Sequence, residues 1–129
     1  MRQRLAGARV GHLATMTPAG VPHLVPCCLV LDGETVYTAV DAKPKSTLLL
    51  QRIRNLQANP SASLLVDRYD EDWSRLWWVR VDGRGRVVES DEERDRALDL
   101  LAEKYPQYRE QRPGGPVIAL DITNWRAWP

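Results

Sequence analysis

Residues 21–31, VPHLVPCCLVL, are apolar on both faces of an extended chain and carry two prolines. Successive strand side chains point to opposite faces, so Val21, Val25, Cys27 and Leu29 share one side and Leu24, Cys28 and Val30 the other. Pro22 and Pro26 each remove a ladder donor. That predicts a strand that is irregular, at an edge, or bordering something other than another strand. In an antiparallel sheet, a strand buried on both sides predicts a barrel interior against one face and a partner subunit or cofactor against the other.

The remaining pattern is of short strands punctuated by turns. Strands are predicted over residues 11–16, 34–40, 61–66 and 117–122, with a hairpin of 76–81 and 86–88 around Asp82-Gly-Arg-Gly85. Pro18-Ala-Gly20 and Asp32-Gly33 read as turns. Residues 46–58 form a helix with Leu49, Ile53 and Leu56 on its apolar side and Arg52 and Arg54 off it, stopped by Asn59-Pro60. A second helix, residues 91–105, begins with acidic residues and carries an Ala97, Leu98, Leu101 stripe. Residues 1–10 form a short helix or an irregular lead-in. Trp125 and Trp128 fall in the tail. The expected fold is mainly β: a six- or seven-stranded antiparallel barrel with two principal helices, in one domain spanning 1–129, although binary pattern by itself does not separate a barrel from a sandwich.

Composition excludes several classes. A chain of 129 residues that is 43% hydrophobic can bury a core, yet it is short for an enclosed pocket, so a site shared between two subunits fits. The net charge of +1 gives no pull towards nucleic acid or an anionic membrane. No apolar run approaches the roughly 20 residues of a membrane span. Met1-Arg-Gln-Arg-Leu5 lacks the apolar core of a signal peptide. Cys27 and Cys28 point opposite ways in a strand, which suits small buried hydrophobes in a reducing cytoplasm better than a disulfide or a metal site.

The stretch Asp41-Ala-Lys-Pro-Lys-Ser-Thr47 places two lysines and two hydroxyls between a strand and a helix. Such a junction can hold a phosphate, because the first helical turn has unpaired amides and a dipole that favours anions. A solvated turn with a capped helix is the competing reading. Trp77 and Trp78 face opposite ways in a strand; one packs the core, and the other meets a ligand, a second chain or the barrel rim. Arg80 shares the Trp78 face and suits a planar anion, or an ordinary pairing with Asp82 or Asp67. Neither His12 nor His23 neighbours a serine or cysteine plus an acid, Asp70-Glu-Asp72 reads as a solvated loop, and Gly83 and Gly85 precede no helix. Without a strong acid or base, the pattern fits a protein that holds a redox cofactor and lets it supply the reactivity.

The chain resembles the split-barrel flavin and deazaflavin oxidoreductases related to pyridoxamine-phosphate oxidase, in particular their small F420-dependent branch. The resemblance rests on His12-Leu-Ala-Thr-Met16, Gly20-Val-Pro-His-Leu-Val-Pro26, Val36-Tyr-Thr-Ala-Val40 and Arg54-Asn-Leu-Gln-Ala-Asn-Pro60. Ser63-Leu-Leu-Val-Asp67, the long segment from Tyr69 to Gly83, and Tyr105-Pro-Gln-Tyr-Arg-Glu110 extend it. It implies a homodimer with cofactor sites at the interface and a small-molecule substrate. It places the cofactor phosphate at Lys43, Lys45, Ser46 and Thr47, with Arg54 nearby. The ring is expected against Val25, Pro26, Cys27, Tyr37 and Thr38, and the partner chain is expected to bring Trp77 or Trp78 and Arg80. The implied cofactor is the deazaflavin F420, which would carry a hydride to a conjugated or quinone-like acceptor. Flavin mononucleotide (FMN) is the alternative cofactor, and a non-catalytic carrier is the alternative role.

Overall fold

The structure is a computed structural model that describes residues 1–40 and 47–129, with side chains of the first long helix from Gln51 onward. Lys43, Lys45, Ser46 and the side chain of Thr47 therefore lie outside the described residues.

In chain order the elements are α1 (Arg2–Gly7), β1 (Gly11–Met16), β2 (Pro22–Cys27), β3 (Val30–Asp32), β4 (Thr35–Ala39) and α2 (Thr47–Ala58). They continue with β5 (Ser61–Arg68), a single 3-10 turn (Trp73–Arg75), β6 (Trp77–Val87), α3 (Asp91–Lys104), α4 (Pro106–Glu110) and β7 (Val117–Trp128). The strands form one antiparallel sheet in the order β2-β1-β5-β6-β7-β4-β3, curled into an open, split barrel with two long helices. Among the described residues, no helix is long and apolar enough to cross a membrane.

The barrel interior is filled by Leu13, Leu29, Val36, Leu64, Val66, Val79, Val81, Ile118 and Leu120, with Leu5 of α1 buried against them. A second apolar cluster joins the outer face of β4 and β7 to α3 through Tyr37, Ala39, Leu98, Leu101, Val117 and Ala119. The start of α3 is set locally: the Ser90 hydroxyl accepts from the Glu93 amide, the capping arrangement its S-x-x-E pattern encodes.

Residues 21–31 do not make one strand. The chain leaves the sheet at Cys28 and Leu29, crossing from one edge strand, β2, to the other, β3. There the tyrosine hydroxyl of Tyr105 and the ammonium of Lys104 satisfy the Leu29 backbone, in place of a neighbouring strand. The two prolines sit on the edge strand, as their missing donors require. Cys27 packs against the barrel core and Cys28 against the α3 cluster, so the adjacent thiols face different layers.

The predicted hairpin at Asp82-Gly-Arg-Gly85 is a correction. β6 runs straight through it, with a register irregularity against β7 between Asp82 and Gly83. A β-carbon on Gly83 would lie 2.0 Å from the Asp121 carbonyl oxygen, and one on Gly85 would lie 2.5 Å from Leu56 Cδ2. These glycines serve close approach, which sequence punctuation cannot tell from a turn. The expected tail is a second correction, because β7 pairs with β6 as far as Trp128. Gly20 and Gly33, by contrast, do turn the chain, with φ of 82° and 61°.

Candidate functional site

Strand β2 alternates. Val25 and Cys27 turn towards the barrel, while Leu24 and Pro26 face outward. Thr38 of β4 lies in the inner layer with Val36 and is buried near Cys27. Arg52 of α2 comes close enough to act on the same thiol. Burial pushes the Cys27 thiol up in pKa, against smaller downward pulls from the Thr38 hydroxyl and the Arg52 guanidinium. Beside Cys27, Thr38 Oγ1 and Arg52 Nε are buried without a partner at hydrogen-bonding geometry, and so is His23 Nδ1, four residues earlier on β2.

Such atoms are uncommon in native structures, and each costs about 1–3 kcal/mol unless something satisfies it. A partly buried guanidinium with a free N–H calls for an anion. Beside it, Gln51 Nε2 donates to Asn55 Oδ1 at 2.7 Å and Asn55 Nδ2 donates to Thr15 Oγ1 at 3.0 Å, so these groups are satisfied. The buried Asn55 thereby fixes α2 to β1. Arg54, one residue earlier, is exposed. The chemistry left beside Cys27 is that of an anion site: a cation and a hydroxyl donor.

A groove of about 650 Å³ runs over the outer face of β2, β1, β5, β6 and β7. Its floor follows from register. His12 lies opposite Pro26 on one side and Leu65 on the other, Leu65 lies opposite Arg80, and Trp78 lies between Asp67 and Trp128. Both Trp77 and Trp78 line it, although they are adjacent, because β6 begins at Trp77. Trp77 also packs against the barrel core and lies under the Arg4 guanidinium, 5.1 Å from the ring centroid. Arg80 forms an ion pair with Asp82, its Nη2 donating to Oδ2 at 3.3 Å, while its buried Nε, 3.0 Å from Oδ1, lacks hydrogen-bonding geometry. Asp82 also accepts from Ser63 Oγ at 2.6 Å and Asn124 Nδ2 at 3.0 Å.

The sequence-predicted residues thus separate into groups. Cys27 and Thr38 meet at the inner junction, and Val25 lies on the same face of β2. Trp77, Trp78 and Arg80 share the outer groove, with Pro26 next to His12 at its side. Tyr37 belongs to neither. It lies under α3, where its hydroxyl donates to Glu93 Oε2 at 2.6 Å. Burial, together with that carboxylate, pushes the Tyr37 phenol up to about 12.

Sequence reasoning missed His12, and it offered Arg52, with Arg54 and Arg75, only as a basic groove for a deazaflavin tail, not as a neighbour of Cys27. Arg52 lies off the apolar helix stripe, where an arginine is ordinarily solvated. The parity of β1 did carry a signal for His12, since it alternates with the buried Leu13.

A family model described as pyridoxamine 5'-phosphate oxidase matches residues 1–129. No curated protein matches the sequence significantly. Among solved structures, conserved hypothetical protein Rv2991 from Mycobacterium tuberculosis is 24% identical, with a TM-score of 0.80, over 98% of this chain and 80% of that one. A FAD-binding protein from Mesorhizobium loti is 23% identical, TM-score 0.71, over 98% and 89% of the two chains. HutZ, the heme storage protein from Vibrio cholerae, is 15% identical, TM-score 0.75, over 98% and 89%. At these identities the likeness is one of fold.

Proposed function

This chain belongs to the pyridoxamine 5'-phosphate oxidase family, and we propose that it is an oxidoreductase holding a phosphorylated flavin-type cofactor, flavin mononucleotide. The observation that carries this reading is the pair of unpartnered buried polar atoms on Thr38 and Arg52, both brought to Cys27, with Arg52 on the helix that follows the lysine-bearing loop. A phosphate monoester would give Arg52 its counterion and accept from Thr38, and Lys43, Lys45, Ser46 and Thr47 would complete the cradle from the loop. When bound, the cofactor supplies two-electron redox chemistry. The protein's share is to anchor the phosphate, position the ring and exclude water.

The active form in this reading is a homodimer. The outer face of the sheet leaves Leu24 67% and Trp128 52% exposed, alongside Met16, a large apolar surface for a monomer. The inner junction and the outer groove lie on opposite faces of β2. A second copy is what would bring Trp77 or Trp78 and Arg80 of one chain to the cofactor held by the other. Coenzyme F420 is the second reading. It shares the phosphate anchor, and the exposed Arg54 would suit its acidic tail. The substrate is a small conjugated organic molecule, and the location is the cytoplasm.

Titration of the purified protein with flavin mononucleotide and with F420 tests the cofactor, with flavin mononucleotide expected to bind more tightly. Tighter F420 binding would reverse the assignment, and binding of neither would remove it. Sedimentation equilibrium is expected to give twice the 14.7 kDa chain mass. Stopped-flow reoxidation of the bound, reduced cofactor by quinones separates an enzyme from a carrier, which would show no acceleration over free cofactor.

A further inference from the structure

We infer that Tyr105 and Lys104 are positioning residues for the anion site, clamping the Cys28–Leu29 crossover so that Cys27 on one side of the split faces Thr38 on the other. The inference rests on the reading above, for which it names the groups that set the site's spacing.

The edges of the sheet are β2 and β3, so among the described residues no ladder of backbone hydrogen bonds fixes the gap between them. Cys27 ends β2, and Thr38 lies on β4, which pairs with β3. Cys28 and Leu29 are the direct link across the gap. Leu29 is fully buried, and its side chain lies against Gly11, where a β-carbon would stand 3.1 Å from Leu29 Cδ2.

The backbone of Leu29 is held from the end of α3. Its amide donates to Tyr105 Oη at 3.0 Å, and Lys104 Nζ donates to its carbonyl at 2.8 Å. The Tyr105 hydroxyl also lies 2.9 Å from the Arg9 carbonyl and 3.1 Å from that of Leu29. It has one proton to give, and the ammonium on Leu29 leaves that proton for Arg9. Arg9 leads into β1, whose first residue, Gly11, lies opposite Cys27. One hydroxyl thus ties the chain entering β1 to the chain leaving β2. The sequence sets this locally. Tyr105 precedes Pro106, which restricts it to extended backbone, and with φ −114° and ψ 114° it ends α3.

Lys104 makes the clamp sensitive to alkali. Burial pushes its ammonium down to about 8, the Arg9 guanidinium adds to that shift, and Cys28 opposes it. Arg9 stays charged, and burial holds the Tyr105 phenol above its ordinary value. A bound anion favours the ammonium, so affinity is complete below about 8 and lost as pH rises above it.

The test uses the full chain carrying Cys28→Ala as parent, which leaves Cys27 as its one thiol. Without cofactor, iodoacetamide at pH 7 is expected to alkylate Cys27 roughly 3- to 10-fold faster in Tyr105→Phe, which keeps the ring and loses the hydroxyl. Flavin mononucleotide should bind that variant weaker by a similar factor. From pH 7 to 9 the affinity of the parent should fall by up to about tenfold. Lys104→Met should bind weakly with no such fall, and Lys104→Arg, which keeps a cation and its donors, should hold the parent's pH 7 affinity throughout. Unchanged alkylation, or variants that keep the parent's affinity and pH profile, would overturn the clamp. If the parent binds no flavin mononucleotide, the cofactor reading falls and the alkylation rate alone decides the clamp.

Discussion

Thr38 and Tyr37 are neighbours on β4, yet they face two polar regions built on opposite principles. On the Tyr37 side every group is engaged. Arg86 donates twice to Glu93, at 2.7 Å each, and also to Asp121 at 2.7 Å, while Tyr37 donates to Glu93 and Thr35 Oγ1 to Asp121 Oδ1 at 3.0 Å. The network ties α3 to β4, β6 and β7. On the Thr38 side, the buried hydroxyl and the Arg52 Nε both lack partners. A saturated network of charges secures the fold. An unsaturated one keeps free donors, at a cost in stability that a ligand can return.

The difference can be broken from either side. The largest effect is expected from Arg86→Ala, which leaves two carboxylates facing each other without their shared cation. Unfolding in denaturant should show a loss of about 2–3 kcal/mol, with cofactor affinity unchanged. A matching loss of affinity would mean that the two regions are one. Arg52→Ala should do the opposite. Cofactor affinity is expected to fall by about 2 kcal/mol, roughly thirtyfold, while stability of the free protein stays within about 0.5 kcal/mol. Equal effects on both would make Arg52 a structural residue.

Thr38→Val sharpens the contrast further, because removing an unsatisfied hydroxyl changes sign between two measurements. The free protein should gain up to about 1 kcal/mol of stability, and cofactor affinity should fall by about 1 kcal/mol. A loss of stability would show that the hydroxyl is satisfied after all.

The saturated side carries a pH dependence in the acid range. The Arg86 guanidinium, with the Tyr37 hydroxyl behind it, holds the Glu93 carboxyl down at about 2, against an ordinary value of 4.5. A depressed carboxylate contributes stability that is complete above 4.5 and lost as pH falls towards 2. Acid titration should therefore show a smaller stability loss across that window in Glu93→Gln than in the parent. An identical slope would take Glu93 out of the linkage.

How much of this was legible differs by residue. The Gly20 and Gly33 turns and α3 with its acidic start were legible in local chemistry, and an edge was one of the positions the two prolines allowed. Gly83 and Gly85 misled, because closeness to Asp121 and Leu56 is a property of distant segments. Arg52 misled for the same reason, since helical periodicity places it off the apolar face without showing that a buried thiol and hydroxyl lie against it. The lysine-bearing loop was the plainest sequence signal for a phosphate, and Lys43 and Lys45 lie outside the described residues.

The sequence by itself determined most strand and helix types, because alternation, turn residues and caps act within a few positions of one another, and its resemblance to a known family supplied the split barrel. Only the tertiary structure decided which polar groups find partners. Arg86 is satisfied and Arg52 is not, and the two are the same residue type on regular elements. Satisfaction depends on which distant side chains burial brings within about 3 Å, and no local pattern specifies that.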